Sequence, residues 1–186
     1  MNDRYRTLLP RGLVTGVLAF VGGYLITYLS EGPRIESRIA PMEGILQLFQ
    51  AEPLSTWRVV GWVFYGAHFV DTRIQIALGP IQSPVTVDLI AEGAGAMEIL
   101  YIVPPVLLLL AGAAVAWSMD VESVTEGATA GALVVIGYGP VIAIGVIVFA
   151  YNGIQPEPLP AIVIAGIAYP IICGGIGGGI VGFLPS

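Results

Sequence analysis

One short stretch of the sequence holds side chains that could transfer a proton. His68 is the only histidine of the chain, and Asp71 and Arg73 follow it closely. On a helix, the three-residue spacing would place His68 and Asp71 on one face. One imidazole and one carboxylate are fewer ligands than a metal site requires, and no serine or cysteine stands beside them as a nucleophile. The pattern predicts a structural polar pair, His68 with Asp71, and no catalytic residue, metal site or cofactor.

The single cysteine offers no second site. Cys173 lies in an apolar, glycine-rich run with no histidine or aspartate nearby. A thiol in such surroundings behaves as a small apolar side chain. We therefore expect Cys173 to be buried and inert.

Three apolar stretches share a tyrosine followed closely by proline. Each proline removes one backbone hydrogen bond from a helix and frees a carbonyl oxygen four residues earlier. Two interpretations stay open: the prolines kink the helices for packing, or the kinks and the tyrosine hydroxyls line a small polar cavity. The residues concerned are Tyr101, Pro104, Pro105, Tyr138, Pro140, Tyr169 and Pro170.

The composition places these residues in a membrane protein. Of 186 residues, 56% are hydrophobic and only 11% are charged, whereas about a quarter are charged in an ordinary soluble domain. So much apolar surface excludes both a water-soluble globule and a disordered chain. The 7 basic residues are all arginine, 13 residues are acidic, and the net charge is −6. This balance excludes nucleic acid as a partner, because phosphate binding needs a basic patch.

Four stretches are long enough to cross a bilayer, which takes about 20 apolar residues. They run from Leu8 to Leu29, Ile99 to Met119, Gly127 to Tyr151 and Leu159 to Leu184, and none has a charged residue in its middle. The first is read as a retained helix rather than a signal peptide, because it is long and no cleavage pattern follows it. Arginines cluster at its start, so the positive-inside rule places the N-terminus in the cytoplasm.

These stretches define the expected fold class, an all-α membrane protein with four transmembrane helices and a small α+β extracytoplasmic insert. Residues 1–30 form the cytoplasmic N-terminus and the first transmembrane helix. Residues 31–97 form the insert, and residues 98–186 form three further transmembrane helices. The expected location is the cell membrane, which the chain crosses several times.

The segment from Trp57 to Gly79 is ambiguous. Its clean apolar part is short, and a full span would bury Asp71 and Arg73, at about 2.5 to 3.5 kcal/mol for each central charge. We expect a non-spanning aromatic helix that lies at the membrane interface, with Ser55 or Thr56 as its N-cap. The alternative is a fifth transmembrane helix.

Alternation of polar and apolar residues after this helix predicts a β-hairpin. Residues 72–78 and 85–89 alternate on either side of a turn-forming segment. Such a hairpin needs water or protein at its edges, which keeps it outside the lipid. The expected turn residues are Gly79, Pro80, Ser83 and Pro84.

Glycines four residues apart mark helix faces that can approach other helices closely. Without side chains, two helix backbones can come into van der Waals contact inside a membrane. Whether these contacts lie within one chain or between subunits stays open at this stage. The glycines are Gly12, Gly16, Gly127, Gly131, Gly174, Gly178 and Gly182.

The segment from Trp57 to Asp71, with the pattern W-x3-G-W-x-F-Y-x-A-H-F-V-D, resembles one found in uncharacterised multi-pass membrane proteins of halophilic archaea. The resemblance implies a cell membrane in extreme salt, in keeping with an acidic chain that lacks lysine. It implies no activity, cofactor or catalytic residue.

The expected function is that of a non-enzymatic membrane protein. Ion-coupled carriers depend on ionisable groups within the membrane, and the last three helices have none at hydrocarbon depth. We expect a structural or accessory subunit whose partners are the lipid bilayer and other membrane proteins, in a homo- or hetero-oligomer. The alternative is a channel or facilitator that uses the proline-kinked helices and their tyrosines.

Overall fold

The computed structural model describes residues 3–48, 53–78, 81–93 and 97–184. Four helical stretches in this part of the chain are long and apolar enough to cross a membrane: span 1, Leu9–Pro41; span 2, Glu98–Trp117; span 3, Val124–Val148; and span 4, Pro158–Phe183. A three-stranded sheet accompanies them. At this level the predicted architecture is confirmed.

Only span 1 is a single regular helix. It belongs to α1, Asp3–Leu48. Span 2 begins with a 3-10 turn, Glu98–Ile102, and continues as α3, Val103–Trp117. Span 3 is divided by a turn into α4, Val124–Ala132, and α5, Val135–Val148. Span 4 consists of α6, Pro158–Pro160, a π-helical stretch, Ala161–Ala168, and α7, Tyr169–Phe183.

Helix α1 is longer than the sequence predicts. Its 46 residues extend about 69 Å, roughly twice the thickness of a bilayer's hydrocarbon core. The expected boundary after residue 30 is not a break, because the helix continues into the insert. There Ile35 and Ile39 are buried against the rest of the insert, in a cluster that includes Val60 and Ile90.

The ambiguous segment from Trp57 to Gly79 does not form one continuous helix. Helix α2, Thr56–Gly66, has 11 residues and therefore extends only about 17 Å. Ser55 stands at its N-cap position without a side-chain hydrogen bond. The chain leaves the helix through Phe69, whose φ is 59°, a left-handed conformation that is rare for a bulky side chain.

Most aromatic side chains of α2 are buried in the protein, and only Trp57 at its start is exposed. Trp62, Phe64 and Tyr65 are all buried, and the indole of Trp62 donates a hydrogen bond to the Phe149 carbonyl at 2.9 Å. These contacts make α2 part of the core between α1 and α5. The expected position of this helix at the membrane interface stays a prediction.

The predicted hairpin is present with a shorter turn. Strands β1, Thr72–Leu78, and β2, Ile81–Val87, pair antiparallel, and Ser83 and Pro84 lie inside β2 rather than in the turn. Pro84 is tolerated because β2 is an edge strand, where a missing N–H is not needed. The other two expected turn residues, Gly79 and Pro80, lie outside the described residues.

A third strand was not predicted. Strand β3, Ile154–Pro156, comes from the connection between spans 3 and 4 and pairs antiparallel with β1. This pairing places that connection and the insert at the same end of the helix bundle. At the opposite end, the Arg11 guanidinium donates to the carbonyl and hydroxyl oxygens of Ser118, just after span 2.

Candidate functional site

The chain's only histidine lies at the centre of the core. His68 follows the C-terminal end of α2, and its backbone N–H donates to the Tyr65 carbonyl at 2.9 Å. Together with the left-handed conformation of Phe69, this turn directs the imidazole inward. His68 has no exposed surface.

Both ring nitrogens of His68 have hydrogen-bond partners. Nδ1 lies 2.8 Å from the carbonyl oxygen of Phe64, and Nε2 lies 2.6 Å from the hydroxyl oxygen of Tyr138. A carbonyl oxygen only accepts, so Nδ1 must carry the hydrogen and donate it. In the neutral ring Nε2 is then the acceptor, and Tyr138 donates to it.

The environment of His68 favours this neutral form. The residue lies outside the four spans, and burial lowers the pKa of its imidazole to about 4, because a charged ring would lose its hydration. The hydrogen bond to Phe64 opposes this shift but is the smaller effect. At neutral pH His68 is therefore an uncharged link between two elements of the fold.

Aromatic rings fill the space around this link. The ring of Phe64 meets the imidazole edge-on with centroids 4.9 Å apart, and the Tyr169 ring lies at 5.4 Å. Phe20 of α1 packs against Tyr138 at 5.8 Å. Since Phe64 and Tyr138 are at most 1% exposed, this region is a packed core and not an open path.

The predicted pair of His68 with Asp71 is not formed. Both imidazole nitrogens are bound elsewhere, and the backbone carbonyl of Asp71 accepts from the Glu157 N–H at 2.9 Å. The prediction assumed a continuous helix through both residues. Because α2 ends at Gly66, the three-residue spacing no longer places them on one face.

The three predicted tyrosines do not meet at one place. Tyr138 and Tyr169 both contact His68. Tyr101 lies elsewhere: its ring stacks on the exposed Phe69 with centroids 4.6 Å apart, and its hydroxyl donates to Asp88 at 3.3 Å.

The prolines also play different structural roles. Pro140 lies inside α5, so it removes a hydrogen bond within a helix as predicted. Pro104 and Pro105 follow the 3-10 turn Glu98–Ile102 directly, and Pro170 follows the π-helical stretch Ala161–Ala168. These three prolines therefore also lie within continuous helical spans, at the points where the helix type changes, and each removes one backbone N–H donor there.

One residue of this core was missed by sequence reasoning. The Tyr65 hydroxyl donates to the carbonyl oxygen of Ile142 in α5, and the side chain is completely buried. It precedes His68 by three residues within an aromatic run, where nothing distinguishes it from its neighbours. Tyr65 and His68 thus form two separate polar links between the insert and span 3.

The predicted glycines lie at contacts within the chain. A Cβ on Gly131 would overlap the carbonyl oxygen of Gly174, and one on Gly178 would overlap that of Gly127. Gly182 approaches Ser123 equally closely. The first half of span 3 and the second half of span 4 therefore touch backbone to backbone.

Two further glycines bring span 1 against span 3. A Cβ on Gly12 would overlap the Leu133 carbonyl oxygen, and one on Gly16 would overlap that of Val134. These contacts lie where span 3 is interrupted by its turn. Span 1 thus packs directly on the irregular part of span 3.

The lone thiol lies near the same core. Cys173 is half-buried and packs against the main apolar cluster. Among the described residues, no group of three or more histidine, cysteine, aspartate and glutamate side chains is arranged to hold a metal ion.

The comparisons with known proteins give a family and no activity. The profile of a family of unknown function, DUF7978, matches residues 2–185, so the chain belongs to this family. No curated protein and no solved structure matches the chain.

Proposed function

We propose that this member of a family of unknown function is an integral membrane protein that acts as a structural or accessory subunit of a larger membrane assembly. It crosses the membrane four times, with the N-terminus in the cytoplasm and the insert outside. The chain contributes a rigid scaffold rather than a reaction. Its surface between spans 3 and 4 is the contact for a partner.

The packed core favours a scaffold over a channel. The tyrosine that a polar path would use, Tyr138, is 1% exposed and hydrogen-bonded to a buried neutral histidine. Tyr65 is likewise buried and bonded to a backbone carbonyl. Polar groups that already have partners in a closed core are poorly placed to solvate a permeating ion or solute.

The observation that carries the proposal is a groove on the outer side of spans 3 and 4. The outer groove has a volume of about 610 Å³. A second depression of about 540 Å³ adjoins it and shares Ala128 and Gly175 with it. The outer groove is lined by Val124, Ala128, Ile172, Gly175, Ile176, Gly179, Ile180 and Phe183.

Glycine in this groove is not required by the packing of the chain itself. A Cβ on Gly175 would lie 3.5 Å from the nearest atom, the Ala128 carbonyl oxygen, and a Cβ on Gly179 would lie 3.7 Å from Ala128 and Val124. These are ordinary contacts, unlike the overlaps at Gly131 and Gly178. A shallow groove floored by small residues is the kind of surface on which a second transmembrane helix packs.

The test compares two glycine-to-leucine variants of the full-length chain. Gly175→Leu fills the outer groove, whereas Gly22→Leu adds the same side chain to α1 at a place with no atom within 4 Å of the added Cβ. Both are extracted from native membranes in mild detergent, and the mass and composition of the assembly are measured. We expect Gly22→Leu to keep the wild-type assembly and Gly175→Leu to lose its partner while remaining folded. A wild-type chain that is a monomer without copurifying protein would contradict the proposal.

A further inference from the structure

A second groove lies between the start of α1 and the end of α3. It has a volume of about 400 Å³. Its walls are apolar, and its polar residues are gathered at one end. We call it the Arg11 groove; it is lined by Pro10, Arg11, Val14, Thr15, Ala114, Val115 and Ser118.

The polar atoms of the Arg11 groove are satisfied with one exception. The Thr15 hydroxyl donates to the Arg11 carbonyl at 2.8 Å, and the Ser118 hydroxyl donates to the Val115 carbonyl at 2.8 Å. The Arg11 guanidinium uses one nitrogen, Nη1, for Ser118. A guanidinium has five N–H donors, and no described residue accepts from its other nitrogens. Positive charge and free donors therefore remain at this end of the groove.

Neighbouring side chains place this end at the boundary between headgroups and hydrocarbon. Trp117, the last residue of α3, is 71% exposed, and exposed tryptophan at a span's end is typical of the membrane interface. On α1, Leu13, Val14 and Leu18 follow Arg11 with 47 to 63% exposure. The groove thus runs from the charged end into the depth that lipid chains occupy.

We propose that the Arg11 groove binds a phospholipid, with its phosphate on the free N–H groups of Arg11 and an acyl chain along Val14 and Ala114. Arginine matches phosphate oxygens through paired, charge-assisted hydrogen bonds. The inference rests on the membrane location in the proposed function but does not depend on any protein partner.

The lipid is favoured over a free phosphate ion by the surroundings of the site. Arg11 is exposed to solvent, and an exposed ion pair contributes little by itself. Asp120 and Glu122 follow Ser118 closely and are also exposed, which weakens the attraction of any anion to this region. The apolar wall supplies the additional free energy only for a ligand that carries a hydrocarbon chain.

The test measures lipid adducts of the detergent-solubilised full chain by native mass spectrometry. Three probes separate the two parts of the ligand: phosphatidylglycerol, a diacylglycerol with the same acyl chains, and glycerol phosphate. We expect phosphatidylglycerol to bind about tenfold more tightly than the diacylglycerol, and glycerol phosphate not to bind. Equal binding of the two lipids, or tight binding of glycerol phosphate, would overturn the proposal.

Variants locate the binding on the chain. Arg11→Gln should reduce phosphatidylglycerol binding to the level of the diacylglycerol, and Arg11→Lys should retain part of the difference. The control is Arg34→Gln, because Arg34 is occupied by Glu31 at 2.8 Å. If Arg11→Gln does not fold, Ala114→Trp fills the groove from an exposed position and should abolish binding of both lipids. Phosphatidylglycerol binding that survives Ala114→Trp would refute the site. So would an Arg34→Gln variant that loses as much phosphatidylglycerol binding as Arg11→Gln.

Discussion

The Tyr138 hydroxyl donates to Nε2 of His68 across 2.6 Å, joining residues that are 70 positions apart. Tyr138 belongs to α5 in span 3, and His68 to the insert just after α2. The bond therefore fastens the insert to the bundle from inside the core. Because both groups are buried, neither has water as an alternative partner.

Removing this hydroxyl should destabilise the fold. Tyr138→Phe leaves Nε2 as a buried acceptor without a donor, which costs about 1–3 kcal/mol. The free energy of unfolding in detergent measures the loss. Tyr169→Phe is the matched control, since the Tyr169 ring contacts His68 at 5.4 Å but its hydroxyl makes no hydrogen bond within the described residues. Equal losses in the two variants would show that the Tyr138 hydrogen bond is unimportant.

The same histidine predicts how stability varies with pH. The pKa of His68 is lowered to about 4 in the folded chain, compared with about 6.5 when unfolded. Between these values the unfolded state binds the proton and the folded state does not, so stability falls as the pH falls. The loss at pH 4 relative to pH 7 is roughly 3 kcal/mol.

A variant without a titrating ring isolates this contribution. His68→Gln keeps a donor and an acceptor but does not titrate in this range, so its free energy of unfolding should fall less steeply than that of wild type below pH 6.5. Carboxylates contribute equally to both chains and cancel in the difference. Parallel pH curves would mean that His68 is not buried as a neutral ring.

Replacing either of two glycines on adjacent helices with alanine should have opposite effects on the stability of the fold. Gly131→Ala places a methyl group onto the Gly174 carbonyl, and such overpacking costs about 1–3 kcal/mol. Gly175→Ala meets its nearest atom at 3.5 Å and should leave stability unchanged or raise it slightly. Thermal unfolding of the two purified variants distinguishes them, and similar midpoints would argue against the backbone contact between spans 3 and 4.

The two ends of the bundle should lie on opposite sides of the membrane. In a Cys173→Ala background, Ser83→Cys labels the hairpin and Glu122→Cys labels the turn after span 2; both positions are exposed. A membrane-impermeant maleimide added to intact cells should modify the cysteine at position 83 only. Modification at position 122 alone would show that the orientation is the reverse of the one proposed. Modification at both positions would contradict a topology with four spans.

The sequence predicted the elements whose signal is local. Long apolar runs gave the four spans, and alternation gave β1 and β2, because both patterns depend only on neighbouring residues. The glycine spacing identified close backbone approach in the same way. It did not identify which helix packs against which, because several helices carry a glycine face that could contact another helix.

The errors have a common physical origin in tertiary contacts. The three residues of β3 become a strand only because β1 offers its free edge, and nothing in Ile154–Pro156 alone predicts that. His68 was paired with the nearest carboxylate in sequence, whereas the fold supplies a tyrosine 70 residues away. The extension of α1 past residue 30 is likewise stabilised by Ile35 and Ile39, which pack on a distant part of the insert.

The most direct test of the proposed function is photo-crosslinking from the outer groove in native membranes. A photoreactive amino acid replaces Ile176, which is 54% exposed in the groove, or Ile144, which is 58% exposed outside it. A partner in the groove predicts a protein adduct of defined mass from position 176 and only lipid adducts from position 144. Lipid adducts alone from both positions would contradict the assignment of this chain as a subunit of a larger assembly.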